Sequence, residues 1–297
     1  MANREVIEEN MKANEVAFQK VTGAIQYKLT NDYMFRAVLQ ENEEVLRGLV
    51  CNLLNIANEE IKTIDITNPI ILGETINDKD VILDLAILLN CNQRLNIEMQ
   101  VVNQNDWPER SIYYICTDFS SLNKGMPYSS VLPLIHISIL DFTLFPKQPM
   151  FYSRYRLIEE KIHHLYSSKI GINVLSLSCI ELATNEDKAC KLDYWARLFK
   201  ANTWEEIKML AQNDEAAHQA ALSMYMLSGD EKIRKQCEAR ERYELDRIAL
   251  IETGAKKQQS LTIEAALNDG RSCADIAQFL HISVEEVEAV KQKSTQS

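Results

Sequence analysis

Apolar residues recur at helical spacing from Thr30 onward: Phe35, Val38 and Leu39, then Leu46, Leu49, Val50, Leu53 and Leu54. That spacing predicts one or two helices ending near Ile56, with Thr30-Asn31-Asp32 ahead of them as N-cap chemistry. The period then shortens to two. Ile61 to Leu72 is β-branched and broken only by Asn68-Pro69. Val81 to Leu89 follows the turn-forming Asn77-Asp78-Lys79-Asp80, and Leu95 to Val101 alternates beyond Cys91-Asn92-Gln93. The pattern predicts a three-stranded meander whose last two strands form a hairpin.

Trp107-Pro108-Glu109 opens a helix running to about Lys124, with the proline near its first turn. Leu132 to Phe142 is continuously apolar, which predicts a strand buried on both faces in the middle of a sheet with helices on each side. Phe151 to Leu157 and Ile172 to Leu182 read as two further strands, and beyond Glu186 the pattern is helical. Residues 230–260 carry dense charge of both signs, as an exposed long helix does. After Gly270, two short helices joined at His281-Ile282-Ser283 suit a helix-turn-helix-like tail whose acids (Asp275, Glu285, Glu286, Glu288) favour protein contact over DNA reading. The expected divisions are a helix or arm at 1–26, an α/β core at 27–185, a helical region at 186–229, a charged helical arm at 230–270 and the tail at 271–297.

Composition narrows the class. In 297 residues, 46% hydrophobic and 25% charged, the chain can bury a sizeable core, and its scarcity of Gly (8) and Pro (6) disfavours a loop-rich all-β fold. Seven dispersed cysteines with no C-x-x-C pair suit reduced thiols rather than a disulfide or zinc framework. The polar N-terminus shows no signal-peptide run, and the greasiest stretch, Val131 to Phe145, is too short to span a bilayer. A cytoplasmic protein with no membrane association is the expectation. The net charge of −11 is unfavourable for nucleic acid, so any DNA contact needs a local basic surface or a bound cation.

The candidate chemistry lies in the hairpin. Asp84 interrupts an apolar strand and Glu98 lies in the next, each six or seven positions from the turn, so the two are expected roughly opposite one another. Gln100 shares the Glu98 face because strand side chains alternate. Two acids and an amide make a hard-oxygen site suited to Mg²⁺ or Mn²⁺; the bland alternative, two acids facing solvent at a sheet edge, is equally compatible with the spacing. Glu74 and Asp80 are expected to face solvent in a turn. His163-His164 is read as a surface loop and His136 as a hydrogen-bonded core residue. No glycine-rich phosphate loop, nucleophile elbow or His-Glu-x-x-His occurs.

Thr30-Asn31-Asp32-Tyr33-Met34-Phe35-Arg36, Ile82-Leu83-Asp84-Leu85-Ala86 and Asn96-Ile97-Glu98-Met99-Gln100, in that order, resemble the PD-(D/E)XK nuclease superfamily. More narrowly they are similar to the bacterial Rpn family of recombination-promoting nucleases and transposases. Arg110-Ser111-Ile112-Tyr113-Tyr114, Leu134 to Phe142, Ile180-Glu181-Leu182, Asp193 to Phe199 and Ser228-Gly229-Asp230-Glu231 extend the likeness over roughly 27–256. The resemblance implies a restriction-endonuclease-like mixed sheet flanked by helices, followed by a helical C-terminal region and arm, and a metal-dependent DNA endonuclease linked to recombination or mobile elements. It implies Asp84 and Glu98 as metal ligands. Gln100 stands where the superfamily has a lysine that activates water; an uncharged amide could only hold the water, and Glu-x-Gln is usual in the narrower family. Asp32 matches an acid ahead of the first core helix, either joining the site or capping that helix. Arg110 could grip phosphate or pair with an acid structurally.

Acidity weighs against DNA binding, since residues 27–150 hold nine basic against sixteen acidic side chains. A homo-oligomer (a dimer is plausible from the arm), a partner, or Lys/Arg of 232–257 would have to compensate. The rival reading is a catalytically weak or inactive nuclease fold acting as an oligomeric interaction module.

Overall fold

The computed structural model describes residues 12–70, 84–119, 125–212 and 214–294. Residues 12–20 are helical. Two helices follow, α1 (Asp32–Glu41) and α2 (Glu43–Leu54), separated at Asn42, whose extended backbone and side chain cap the second. The cap of α1 is Asn31, which accepts from the Met34 amide, and not Asp32.

Six strands form one mixed sheet in the order β1-β2-β3-β4-β6-β5: β1 (Ile64–Ile66), β2 (Leu85–Leu89), β3 (Gln93–Gln100), β4 (Leu134–Leu140), β5 (Tyr152–Ile158) and β6 (Leu165–Ser176). The meander β1-β2-β3 is antiparallel, β3-β4-β6 is parallel, and β5 closes the edge antiparallel to β6. The parallel pairing of β3 with β4 requires a crossover, supplied by α3 (Trp107–Phe119). β4 is inside the sheet, as its continuous hydrophobicity predicts.

Period-two alternation sorts the faces. Leu95, Ile97 and Met99 of β3, Ile137 and Ile139 of β4, and Leu85 and Ile87 of β2 join the main core with Phe35, Leu39, Leu46 and Leu49. The other face carries Asn96, Glu98 and Gln100, flanked by His136 and Ser138 of β4, and is roofed by α3. Trp107 of α3 packs on Leu140 and Val174 there and donates its indole N–H to Ser138 (3.1 Å).

Three expectations change, and some others fall outside the described residues. Only Ile64–Ile66 of the first β-branched run is strand, since the run continues into Asn68-Pro69, and Asn68 spends its amide on the carbonyl of Asp84 and the N–H of Ala86. The sixth strand starts earlier and stops at Ser176, after which Leu177–Leu182 winds into a 3₁₀ segment. α3 is described to Phe119, and its expected extension to 124 lies outside the described residues, as do the turn at 77–80, Glu74, Asp80 and the start of the second strand. Asp84 is not inside a strand: it is the residue before β2.

Helices α4 (Asn185–Ala189), α5 (Leu192–Lys200), α6 (Trp204–Ala211) and α7 (Glu215–Gly229) bury Trp195, Phe199, Ile207, Ala220 and Met224 in the same core as the sheet. Gly48 of α2 lets α7 approach closely, because a Cβ there would overlap that of Ala216. The chain forms two compact units divided after Glu241, within the helix α8 (Glu231–Asn268). The second unit has its own small core, in which Ile263 of α8, Ile276 and Ala277 of α9 (Cys273–Leu280) and Val287 of α10 (Val284–Ser294) meet. His281, in left-handed conformation, ends α9. No helix among the described residues is long and apolar enough to cross a membrane.

Candidate active site

The antiparallel register pairs Leu85 with Ile97. Extended by one residue it sets Asp84 opposite Glu98, and residues directly opposite in an antiparallel pair share a face. The two acids therefore look to the α3 side of the sheet. Asp84 is half-buried and Glu98 is 9% exposed. One oxygen of each, Oδ1 of Asp84 and Oε2 of Glu98, is buried with no hydrogen-bond partner. Two orphaned carboxylate oxygens in one buried place are costly unless protonated or given a cation.

Their surroundings make the same point. Burial, with the Asp84 charge added, pushes the Glu98 carboxyl up to about 7 against the opposing pull of Arg110 and the Gln100 hydrogen bond. Burial likewise raises Asp84, opposed by a bond from Asn96 and by Arg36. Burial wins at both sites, so the ionised pair is a poor resting state without an added positive charge.

Gln100 donates Nε2–H to Glu98 Oε1 (2.9 Å), as expected of neighbours two apart on one strand face. Arg110 of α3 reaches the same oxygen at 3.5 Å, donates to the Tyr114 hydroxyl (3.1 Å), and lies over the rings of Trp107 and Tyr114. Of the two alternatives for Arg110, the structure contains the pairing with an acid, and that acid is Glu98. Behind the pair, Asn96 Nδ2 lies 3.4 Å from His136 Nδ1, and burial lowers His136 to about 4, keeping the ring neutral. His163 and His164 are exposed in the turn between β5 and β6.

Asp32 has a partner that sequence reasoning did not find. Arg240 of α8 grips its carboxylate with Nε (3.0 and 3.1 Å to the two oxygens) and with Nη2. Among the described residues, no three His, Cys, Asp or Glu side chains converge closely enough to hold an ion, so Asp32 does not complete a three-carboxylate set with Asp84 and Glu98. Arg36, quoted in the motif but given no role there, is fully buried and donates to the backbone carbonyls of Asp84 and Asn68. It pins the segment that carries the first acid. An arginine within the apolar run of α1 was the available signal; nothing in the sequence links positions 32 and 240.

The donor set of two carboxylates and one amide, two of the oxygens unsatisfied, fits a hard divalent ion better than a soft one. Searches of curated proteins and of solved structures gave no match. A family model described as PD-(D/E)XK nuclease family transposase matches residues 29–254, from just before α1 into α8. Together with the mixed six-stranded sheet and its flanking helices, this match gives the molecule a restriction-endonuclease-like α/β fold, and the chain belongs to the PD-(D/E)XK nuclease family transposases.

Proposed function

We propose that this protein is a divalent-metal-dependent DNA endonuclease of the recombination-associated type, acting in the cytoplasm, with Asp84 and Glu98 as its metal ligands. The observation that carries the reading is a pair of acids, opposite one another when the β2-β3 register is extended by one residue, each with one buried carboxylate oxygen that has no partner. Bound there, Mg²⁺ or Mn²⁺ supplies charge neutralisation at a scissile phosphate and a more acidic water. The chain's own residues supply position. Gln100, held by Glu98, accepts a hydrogen bond from the attacking water and takes no proton from it. Arg110, braced by two aromatic rings, offers its guanidinium to a phosphate oxygen. Trp107 and His136, whose ring burial keeps neutral, pack tilted against each other on the same face of the sheet.

A second reading, a nuclease fold serving as an oligomeric interaction module, is favoured by two observations: only two of the three candidate carboxylates converge, and α8 leaves Leu245 and Leu250 exposed. Nicking of supercoiled plasmid by wild type and by Asp84→Ala, under titrated Mg²⁺ and Mn²⁺, separates the two. Loss of nicking in the variant supports the nuclease. Equal nicking by both proteins assigns the activity to a contaminant, and none by either leaves the second reading.

A further inference from the structure

Helix α8 begins as part of the core. Ile233 and Cys237 are buried among the main-core residues, and the Asn31 side chain, at the cap of α1, donates to the Cys237 carbonyl (3.0 Å). Arg240 lies three residues beyond Cys237, on the same helix face. It meets Asp32 with both side chains largely shielded, 17% and 14% exposed. The two-pronged contact occupies both carboxylate oxygens. Asp32 stands one helical turn before Arg36, whose guanidinium holds the Asp84 carbonyl, yet it does not join Asp84 and Glu98 as a third ligand.

Resting on the metal-site reading above, we propose that Arg240 is a positioning residue contributed by the C-terminal helix: it holds the Asp32 carboxylate out of the Asp84–Glu98 pair, cancels its charge, and so sets how tightly that pair takes a divalent cation. With the ion pair intact, Asp32 and Arg240 contribute no net charge beside the site. Without Arg240, one negative charge is left beside it and the carboxylate is released to turn inward; both changes tighten cation binding. Without Asp32, one negative charge beside the site is lost, the local balance shifts by one unit toward positive, and binding weakens. The two single substitutions therefore act in opposite directions, and the double substitution, neutral again, cancels them.

The test is calorimetric titration of the full chain with Mg²⁺ and with Mn²⁺, each variant first shown to be folded by its metal-free melt. Arg240→Met should bind roughly fivefold tighter than wild type, the scale of one unit charge acting on a divalent ion across a screened surface. Asp32→Asn should bind weaker by a similar factor, and the double variant should return to within about twofold of wild type. Unchanged or weaker binding by Arg240→Met overturns the proposal. So does a double variant as weak as Asp32→Asn, because Asp32 would then itself be a ligand. If Arg240→Met does not fold, Arg240→Gln takes its place: tighter binding supports the proposal, and unchanged or weaker binding overturns it. Absence of any ion binding by wild type, or equal binding by Asp84→Ala, overturns the metal-site reading itself and this inference with it, an outcome distinct from a wild type that binds while Arg240→Met is indifferent.

Discussion

Replacing Glu98 with Gln should stabilise the metal-free protein, and increasingly so as pH rises. The side chain is buried, and its folded-state value of about 7 lies above the ordinary 4.5. Between those two values the folded protein keeps a proton that the unfolded chain has released. The stability linked to Glu98 is therefore fully present below about pH 4.5 and lost as pH rises through about 7. At about 1.4 kcal/mol per pH unit the whole displacement amounts to roughly 3 kcal/mol. Glutamine keeps the shape and does not titrate. Urea denaturation in the presence of a chelator, at steps from pH 4.5 to 8, should show the stability gap between Glu98→Gln and wild type widening by roughly 2–3 kcal/mol in favour of the variant. A gap that stays constant with pH, or moves toward wild type, would refute the assignment of Glu98 as a carboxylate held against its ionisation. Saturating Mg²⁺ should then raise the melting temperature of wild type and leave the variant unmoved.

His136 should act in the opposite sense. Its folded-state value of about 4 is below the ordinary 6.5, so its stability contribution is present above about pH 6.5 and lost toward pH 4. Urea melts should show His136→Gln losing less stability than wild type over that interval, by up to roughly 3 kcal/mol. Gly48→Ala should cost about 1–3 kcal/mol in the same assay, because the new methyl would overlap Ala216 between two packed helices. Arg36→Met should cost about 3 kcal/mol or more and shrink the Mg²⁺-induced melting shift, since the buried guanidinium holds the Asp84 carbonyl. Maleimide should label the exposed Cys91 and Cys116 in the native protein. Cys179 and Cys237 should react only on unfolding, Cys237 doubly protected by burial and by a thiol pushed up to about 12.

Local pattern determined the elements whose signal is local. The two helices before residue 56 and the hairpin are legible because each is a repeat of period 3.6 or two within one window, the internal strand Leu134–Leu140 because its apolar run is unbroken, and the long helix because its charge is dense and of both signs. The facing of Asp84 and Glu98 is legible for the same reason, since a tight turn fixes the register on either side of it. The early end of β6 and the shortness of β1 are not, because their runs stay apolar while the backbone is drawn away by packing and by the Asn68 side chain. What only the tertiary structure decided is the company those two acids keep. Arg36 comes to the Asp84 carbonyl across 48 residues of chain and Arg240 to Asp32 across 208. Such meetings leave no periodic trace in a sequence, since they are fixed by how helices pack on a sheet and not by spacing along the chain.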